Sequence, residues 1–364
     1  MNSVLPPSDW EPCRFDNLPG WSADRTSAAF ETFKTSLKGW AKGPPITKKF
    51  GSCGYKVFSL VEAANRLGDL SELEARRFFE MRFQPFRIAP SSKGKLTGYY
   101  EPVLPASLER TGPFQYPLYK RPCDLVDVAD ENRPAGMNSY FRFARKTPEG
   151  LVEYYDRGAI DQGALSNRGL ELVWLNDRVD QFFVHVQGSA RLKLPNGEQM
   201  RVCFDGKSGQ RYTSLGRVLS ERLGVPPLAM TADRLAEWMR DNPDELDEFL
   251  ALNRSYIFFR EVSDLRISDG PLGAAGCPLT PGRSLAVDMK LHTFGTPFWI
   301  ETKEPLPGDE AQLQRLMIAQ DTGSAIVGPA RADIFIGSGA EAGMLAGSVN
   351  HDMDMYVLWP RCDL

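Results

Sequence analysis

Three aspartates near the end of the chain stand where proton chemistry could be done. Asp288 closes the segment Ser284-Leu-Ala-Val-Asp288, Asp321 lies in Gln320-Asp-Thr-Gly-Ser324, and Asp333 lies in Arg331-Ala-Asp-Ile-Phe-Ile-Gly337. A carboxyl group held among apolar neighbours keeps its proton to higher pH, because burial disfavours the charged form. Such a group can protonate the leaving oxygen of a glycosidic bond and later take a proton back. The competing reading of each aspartate is a turn cap, the commonest loop role of this side chain. A lone Asp-Thr-Gly also brings aspartic proteases to mind, but their dyad needs two such carboxyls sharing a proton.

These side chains need elements to hold them. Arg315 to Gln320 is mostly apolar and too short for an independent helix, so a buried strand is expected to deliver Asp321. Six glycines between Gly323 and Gly347 are expected to break up any helix there and to favour tight turns. Other short β segments are expected at Tyr256 to Arg260, Ser284 to Asp288, Pro297 to Glu301, Asp333 to Ile336 and Met355 to Leu358. The first hundred residues read as partly helical. Phe30, Phe33, Leu37 and Trp40 recur at helical spacing, and Ser71 with Glu74 fits a capping box opening a helix through Leu73, Phe78, Phe79 and Phe83.

The middle of the chain reads as strands and turns, then helices. Phe182 to Leu194 alternates with Val184, Val186, Leu192 and Leu194 on one side. Asn196-Gly197 then supplies a hairpin turn, with Met200, Val202 and Phe204 returning on the partner strand. Gln187 and Ser189 would thus follow a strand and be able to reach hydroxyls. Helices are expected at Leu215 to Leu223, after Thr231, and after Asn242-Pro243 with Pro in the first turn. Tyr212 and Ser214 would open the first of these, where free backbone N–H groups favour polar ligand atoms.

The order of the segments carries more than any one of them. Gly-Tyr-Tyr-Glu-Pro (98–102), Val-Gln-Gly-Ser (186–189), Tyr-Thr-Ser-Leu-Gly (212–216), Asn-Arg-Ser-Tyr-Ile-Phe-Phe (253–259) and the three aspartate segments follow one another. In this the chain resembles the membrane-bound lytic murein transglycosylase A family, including its C-terminal domain named for three aspartates, from about Phe83 to Trp359. The resemblance implies a mainly β fold with α-helices. A double-psi β-barrel is expected from residues 1–108 and 258–364, with a smaller β-domain inserted at 109–257 and a glycan groove between them.

The same resemblance implies a substrate, peptidoglycan, cut at the β-1,4 bond between N-acetylmuramic acid and N-acetylglucosamine. The muramic C6 hydroxyl would replace water, leaving a 1,6-anhydro ring. Asp333 matches the catalytic acid/base, with Asp321 and Asp288 supporting. The family often has Tyr where this chain has Phe335. Thr97, Tyr99, Tyr100 and Glu101 match one groove wall, and Gln187, Ser189, Tyr212 and Ser214 match sugar-binding positions. A monomer in the periplasm, associated with the outer membrane and with wall-synthesis or remodelling proteins, is implied, with no cofactor. Two alternatives remain open: a hydrolase pairing Asp333 with Asp321 or Glu101, and a glycan-binding module without catalysis.

Composition narrows the field further. At 364 residues two domains are the default, and a net charge of −4 argues against nonspecific nucleic-acid binding. No apolar run approaches the roughly 18 residues that span a membrane. The start, Met-Asn-Ser-Val-Leu-Pro-Pro, has neither the basic nor the apolar stretch of a secretion signal, and Cys13 is not at a plausible lipid-attachment position. The six cysteines (Cys13, Cys53, Cys123, Cys203, Cys277 and Cys362) and three histidines (His185, His292 and His351) show no metal-site spacing. The even cysteine count is compatible either with disulfides or with isolated buried thiols.

Overall fold

The computed structural model describes residues 5–88, 93–306 and 308–361. Cys362 and the first four residues of the sequence lie outside the described residues. The chain divides into two compact units, one made of residues 1–100 with 265–364 and the other of residues 101–264.

In the first unit six strands close a ring: β1 (Gly94–Glu101), β2 (Ser284–Val287), β3 (Pro297–Pro305), β4 (Gln312–Asp321), β5 (Arg331–Ser338) and β6 (Asn350–Pro360). Around the ring the order is β6-β3-β4-β2-β5-β1, and β1 pairs back with β6. This closure is the barrel that the family resemblance implied. Its one parallel pair among those with a defined register joins β2 to β4. Leu96, Leu285, Phe298, Met317, Ile334 and Met355, one from each strand, belong to a single buried cluster. A cluster drawing on every strand of a closed ring fills its inside.

The N-terminal segment covers part of the outside. Helices at Thr26–Thr35, Gly54–Arg66 and Glu72–Arg82 pack Phe30, Phe33, Val57, Phe78 and Phe79 against Trp299, Leu316, Ile318 and Leu358. Ser71 and Glu74 form the expected reciprocal cap, with both hydrogen bonds present. Two details depart from expectation: Leu73 is exposed, and Phe83 begins a strand instead of ending the helix. Sequence-distant halves are tied by Arg283, whose guanidinium donates to both oxygens of Asp24 at 2.8 and 2.9 Å.

The second unit holds a six-stranded sheet that runs from Ile257–Glu261 at one edge to Tyr116–Tyr119 at the other, with a bridge between Lys120 and Phe259. The hairpin around Asn196-Gly197 forms, pairing Ser189–Lys193 with Gln199–Lys207, and Gly197 has a φ of 86°. Phe204 is nevertheless exposed, beside a register shift at the next residue pair. The larger correction concerns Arg178–Gln187, which is a helix and not the start of a strand. The Asp177 side chain accepts from the N–H groups of Val179 and Asp180, and Gly188 ends the helix in the left-handed region. Apparent alternation over a short apolar run could not outweigh a start cap and a stop glycine. Pro243 lies in the turn before the Leu246–Ala251 helix, outside its first helical turn. Cys13, Cys53, Cys123, Cys203 and Cys277 are free thiols.

Candidate active site

The site grows from one row across three neighbouring barrel strands. Ala286 of β2 lies opposite Asp333 of β5 on one side and opposite Asp321 of β4 on the other. Residues directly opposite across paired strands point to the same face. On β5, Ala332 and Ile334 fill the barrel interior, so Asp333 must point outward. On β4, Met317 and Ala319 also point inward, and strict alternation would send Asp321 inward with them. A bulge prevents this. The register jumps from Leu285 opposite Ala319 to Ala286 opposite Asp321, leaving Gln320 as the extra residue. A bulge re-aims the side chain that follows it, and here it brings Asp321 out beside Asp333. Two strand spacings separate their backbones by about 9–10 Å, with Ala286 the residue between them in register.

Gln320 itself is fully buried and fully engaged. Its amide nitrogen donates to the Thr32 carbonyl at 2.8 Å and the Ser36 hydroxyl at 2.9 Å, and its oxygen accepts from Ser284 at 2.6 Å. The bulge is thus pinned to the N-terminal helical layer. The signal for it was a polar residue closing the apolar run Leu316 to Ala319.

The barrel strand β1 supplies the partners. The Thr97 hydroxyl donates to Asp333 Oδ1 at 2.7 Å, and the Tyr99 hydroxyl donates to Asp321 Oδ2 at 2.8 Å. Asp321 Oδ1 accepts from the Ala274 N–H at 2.9 Å. Phe335, on the same strand face as Asp333, is fully buried with its ring 5.5 Å from that of Tyr99. An apolar ring therefore lines the strand face that carries Asp333. Tyr100 lies against the Ala340–Ser348 helix at Gly343, where an added Cβ would come within 2.9 Å of the ring. This helix contains two of the six glycines expected to exclude one. Gly343 is tolerated because the close approach of Tyr100 requires it.

Electrostatics separate the three aspartates. Burial pushes the Asp333 carboxyl up to about 6, against the pull of Arg331 and of the Thr97 hydrogen bond, with Asp321 adding to the rise. Burial also raises Asp321, although its hydrogen bonds from Ala274, Thr322 and Tyr99 oppose this. The Tyr99 phenol is held far above its usual range by burial and by both carboxylates, so it stays a donor. Asp288 is buried, and its oxygens accept the Lys290 and Gly328 N–H groups, each at 2.9 Å. It shapes the loop leading into β5 in the manner of a turn cap.

The remaining expected residues lie in the second unit. Glu101 is fully buried between Arg191 at 3.0 Å and Arg201 at 3.4 Å. Gln187 ends a helix and Ser189 begins a strand, so they flank the Gly188 turn rather than follow a strand. The Ser214 hydroxyl accepts from the Arg217 N–H at 3.4 Å and caps the Leu215–Leu223 helix, with half-buried Tyr212 just before it. Among the described residues no cluster of three or more His, Cys, Asp or Glu side chains is placed to hold a metal ion.

Arg331 was not singled out from the sequence. Its position two residues before Asp333 places it on the same strand face, a signal that period-two reading makes available.

Comparison with known proteins agrees with this architecture. Residues 95–260 match the MltA specific insert domain, and residues 283–359 match the 3D domain. The chain is 31% identical over 271 residues to membrane-bound lytic murein transglycosylase A of Escherichia coli K12, covering 72% of this chain. That match spans 65% of the relative's length, just under two thirds. The crystal structure of a membrane-bound lytic murein transglycosylase from Agrobacterium tumefaciens superposes with a TM-score of 0.90 at 44% identity, covering 97% of this chain and 98% of that one. E. coli MltA crystallised with bound chitohexaose gives 0.62 at 28% identity, covering 84% and 82% respectively. The chain therefore belongs to the membrane-bound lytic murein transglycosylase A family.

Proposed function

We propose that the protein is a lytic transglycosylase acting on peptidoglycan strands, with Asp333 as its single acid and then base. The observation that carries this reading is the contrast among the carboxyl groups. Among the candidate carboxyl groups, Asp333 alone combines a raised affinity for its proton with an oxygen, Oδ2, that has no protein partner among the described residues. Asp321 has a donor on each oxygen, and Asp288 does too. Glu101 sits in a buried double ion pair. A second carboxylate free to activate water, which a two-carboxylate hydrolase needs, is thus missing from these candidates.

In the first step Asp333 gives its proton to the glycosidic oxygen as the bond from the muramic C1 breaks. The muramic C6 hydroxyl attacks C1 and passes its proton to the same carboxylate. Atoms balance without water, and the enzyme returns to its starting state. An internal nucleophile also spares the site the work of positioning a water molecule. The polysaccharide class follows the chitohexaose bound by E. coli MltA, a chain of N-acetylglucosamine units. Strand recognition would draw on Thr97, Tyr99 and Tyr100 and on Gln187, Ser189, Tyr212 and Ser214. A discontinuous catalytic unit interrupted by an insert, located in the periplasm at the outer membrane, completes the proposal. Among the described residues no helix is long and apolar enough to cross a membrane.

The test is Asp333→Asn, which keeps size but loses acid and base. Turnover is expected to fall at least about a thousandfold, with strand binding retained, since one group serves both steps. Retention of more than about a tenth of the rate would assign the acid elsewhere.

A further inference from the structure

We infer that Arg331 is a positioning residue that acts through Thr97 to fix which oxygen of Asp333 carries the catalytic proton. This rests on the assignment of Asp333 as the acid. Arg331 Nη2 lies 2.7 Å from Thr97 Oγ1, and Thr97 Oγ1 lies 2.7 Å from Asp333 Oδ1. A guanidinium has donors and no acceptor, so the threonine oxygen must accept from it. The hydroxyl has one hydrogen, and the only acceptor left to it in this chain of contacts is Asp333 Oδ1. With the Thr97 hydrogen turned to Oδ1, a second proton on Oδ1 would crowd the same 2.7 Å gap. The acid proton therefore sits on Oδ2, the oxygen with no protein partner among the described residues.

Arg331 is itself held in place. Its Nη1 donates to the Lys95 carbonyl at 3.3 Å and also to the Ala332 carbonyl, which orients the guanidinium toward β1. The sequence thus places a cation two residues before the acid, on the same strand face, and a threonine opposite turns its charge into a direction. Both proton transfers run through Oδ2. The leaving oxygen takes its proton from there as the C1–O bond breaks, and the C6 hydroxyl proton goes there as the new C1–O6 bond forms. With Thr97 free to rotate, the carboxyl could hold its proton on either oxygen, and only part of the population would be productive.

A double-mutant cycle decides the matter, using steady-state kinetics on glycan strands and thermal melts to confirm folding. Thr97→Val and Arg331→Gln are each expected to lower kcat about 10- to 100-fold, with KM within about twofold in Arg331→Gln, the range for misaligned acid–base help. Because they are links of one chain, the double variant should be no slower than the worse single by more than about threefold. Thr97→Ser, which keeps the hydroxyl, should recover most of the rate lost in Thr97→Val. Multiplying losses in the double variant, or an unchanged kcat in Arg331→Gln, would overturn the inference. Should Arg331→Gln fail to fold, equal kcat in Thr97→Val and Thr97→Ser overturns it instead. If Asp333→Asn stays active, the functional assignment itself has failed. If Asp333→Asn is dead and the cycle is multiplicative, only the relay has failed.

Discussion

Two carboxyl groups, one in each unit, show what burial alone does not decide. Glu101 is buried and lies between two guanidiniums in the insert unit, Arg191 and Arg201. Asp333 in the barrel unit meets a cation only through the Thr97 hydroxyl, and one of its oxygens has no protein partner among the described residues. The first arrangement consumes its carboxylate in holding strands together. The second leaves a carboxyl whose affinity for its proton is raised by burial. A single intervening threonine separates the two arrangements, and the acid role proposed for Asp333 rests on that difference. Direct pairing at Asp333 would favour the carboxylate and weaken its hold on the proton.

The largest effect expected from this contrast is on stability at Glu101. Glu101→Gln leaves Arg191 and Arg201 without their carboxylate and should cost about 3–5 kcal/mol, seen as a fall in chemical-denaturation midpoint. A loss below about 1 kcal/mol would mean the cluster is solvated and the contrast is false.

At Asp333 the sign reverses. Its carboxyl rises to about 6 in the folded chain, so the folded state binds the proton more tightly than the unfolded state. Stability from this group is fully present below the unfolded value of about 3.9 and is lost as pH rises through about 6. Asp333→Asn is therefore expected to be more stable than the parent at pH 7, by about 1–2 kcal/mol after allowance for solvent contact. The gain should vanish near pH 4. A variant less stable at pH 7 would show that the carboxylate is stabilised where it sits. The same titration predicts that turnover declines above about pH 6.

A smaller test compares two glycines inside helices. An added Cβ at Gly216, in the insert unit, meets its nearest neighbours at 3.7 and 3.9 Å, an ordinary contact. At Gly343, beside the site, it meets the Tyr100 ring at 2.9 Å. Gly216→Ala should gain about 0.5–1 kcal/mol, the usual helix preference for alanine. Gly343→Ala should gain nothing and should raise KM by displacing Tyr100. Equal gains at both positions would show that the ring is free to move.

Much of the barrel could be read from the chain because its strands carry their signal locally. The run before Asp321, the segments at Ser284, Pro297 and Met355, and the cap at Ser71 each follow from neighbours in sequence. The Asn196-Gly197 turn does as well. The failures have a common cause in tertiary contact. The bulge at Gln320 depends on Thr32, Ser36 and Ser284, residues 36 to 288 positions away. The glycine-rich helix at Ala340–Ser348 depends on Tyr100, more than two hundred positions earlier. Short apolar alternation misled at Arg178–Gln187, where the caps at Asp177 and Gly188 were the stronger evidence. Asp333 could be named only through the family resemblance, since the sequence alone gives three aspartates of similar surroundings. Their different hydrogen-bond partners distinguish them.

If one carboxyl group works with the substrate's own hydroxyl, no oxygen from water enters the product, and labelled water reads this out. Murein digested by the protein in water enriched in heavy oxygen should yield new muramic ends that are 1,6-anhydro rings. These ends should lack the mass of one water, resist borohydride reduction and carry no label. Reducible ends with heavy oxygen at the muramic C1 position would contradict the account, because they require a second group that activates water.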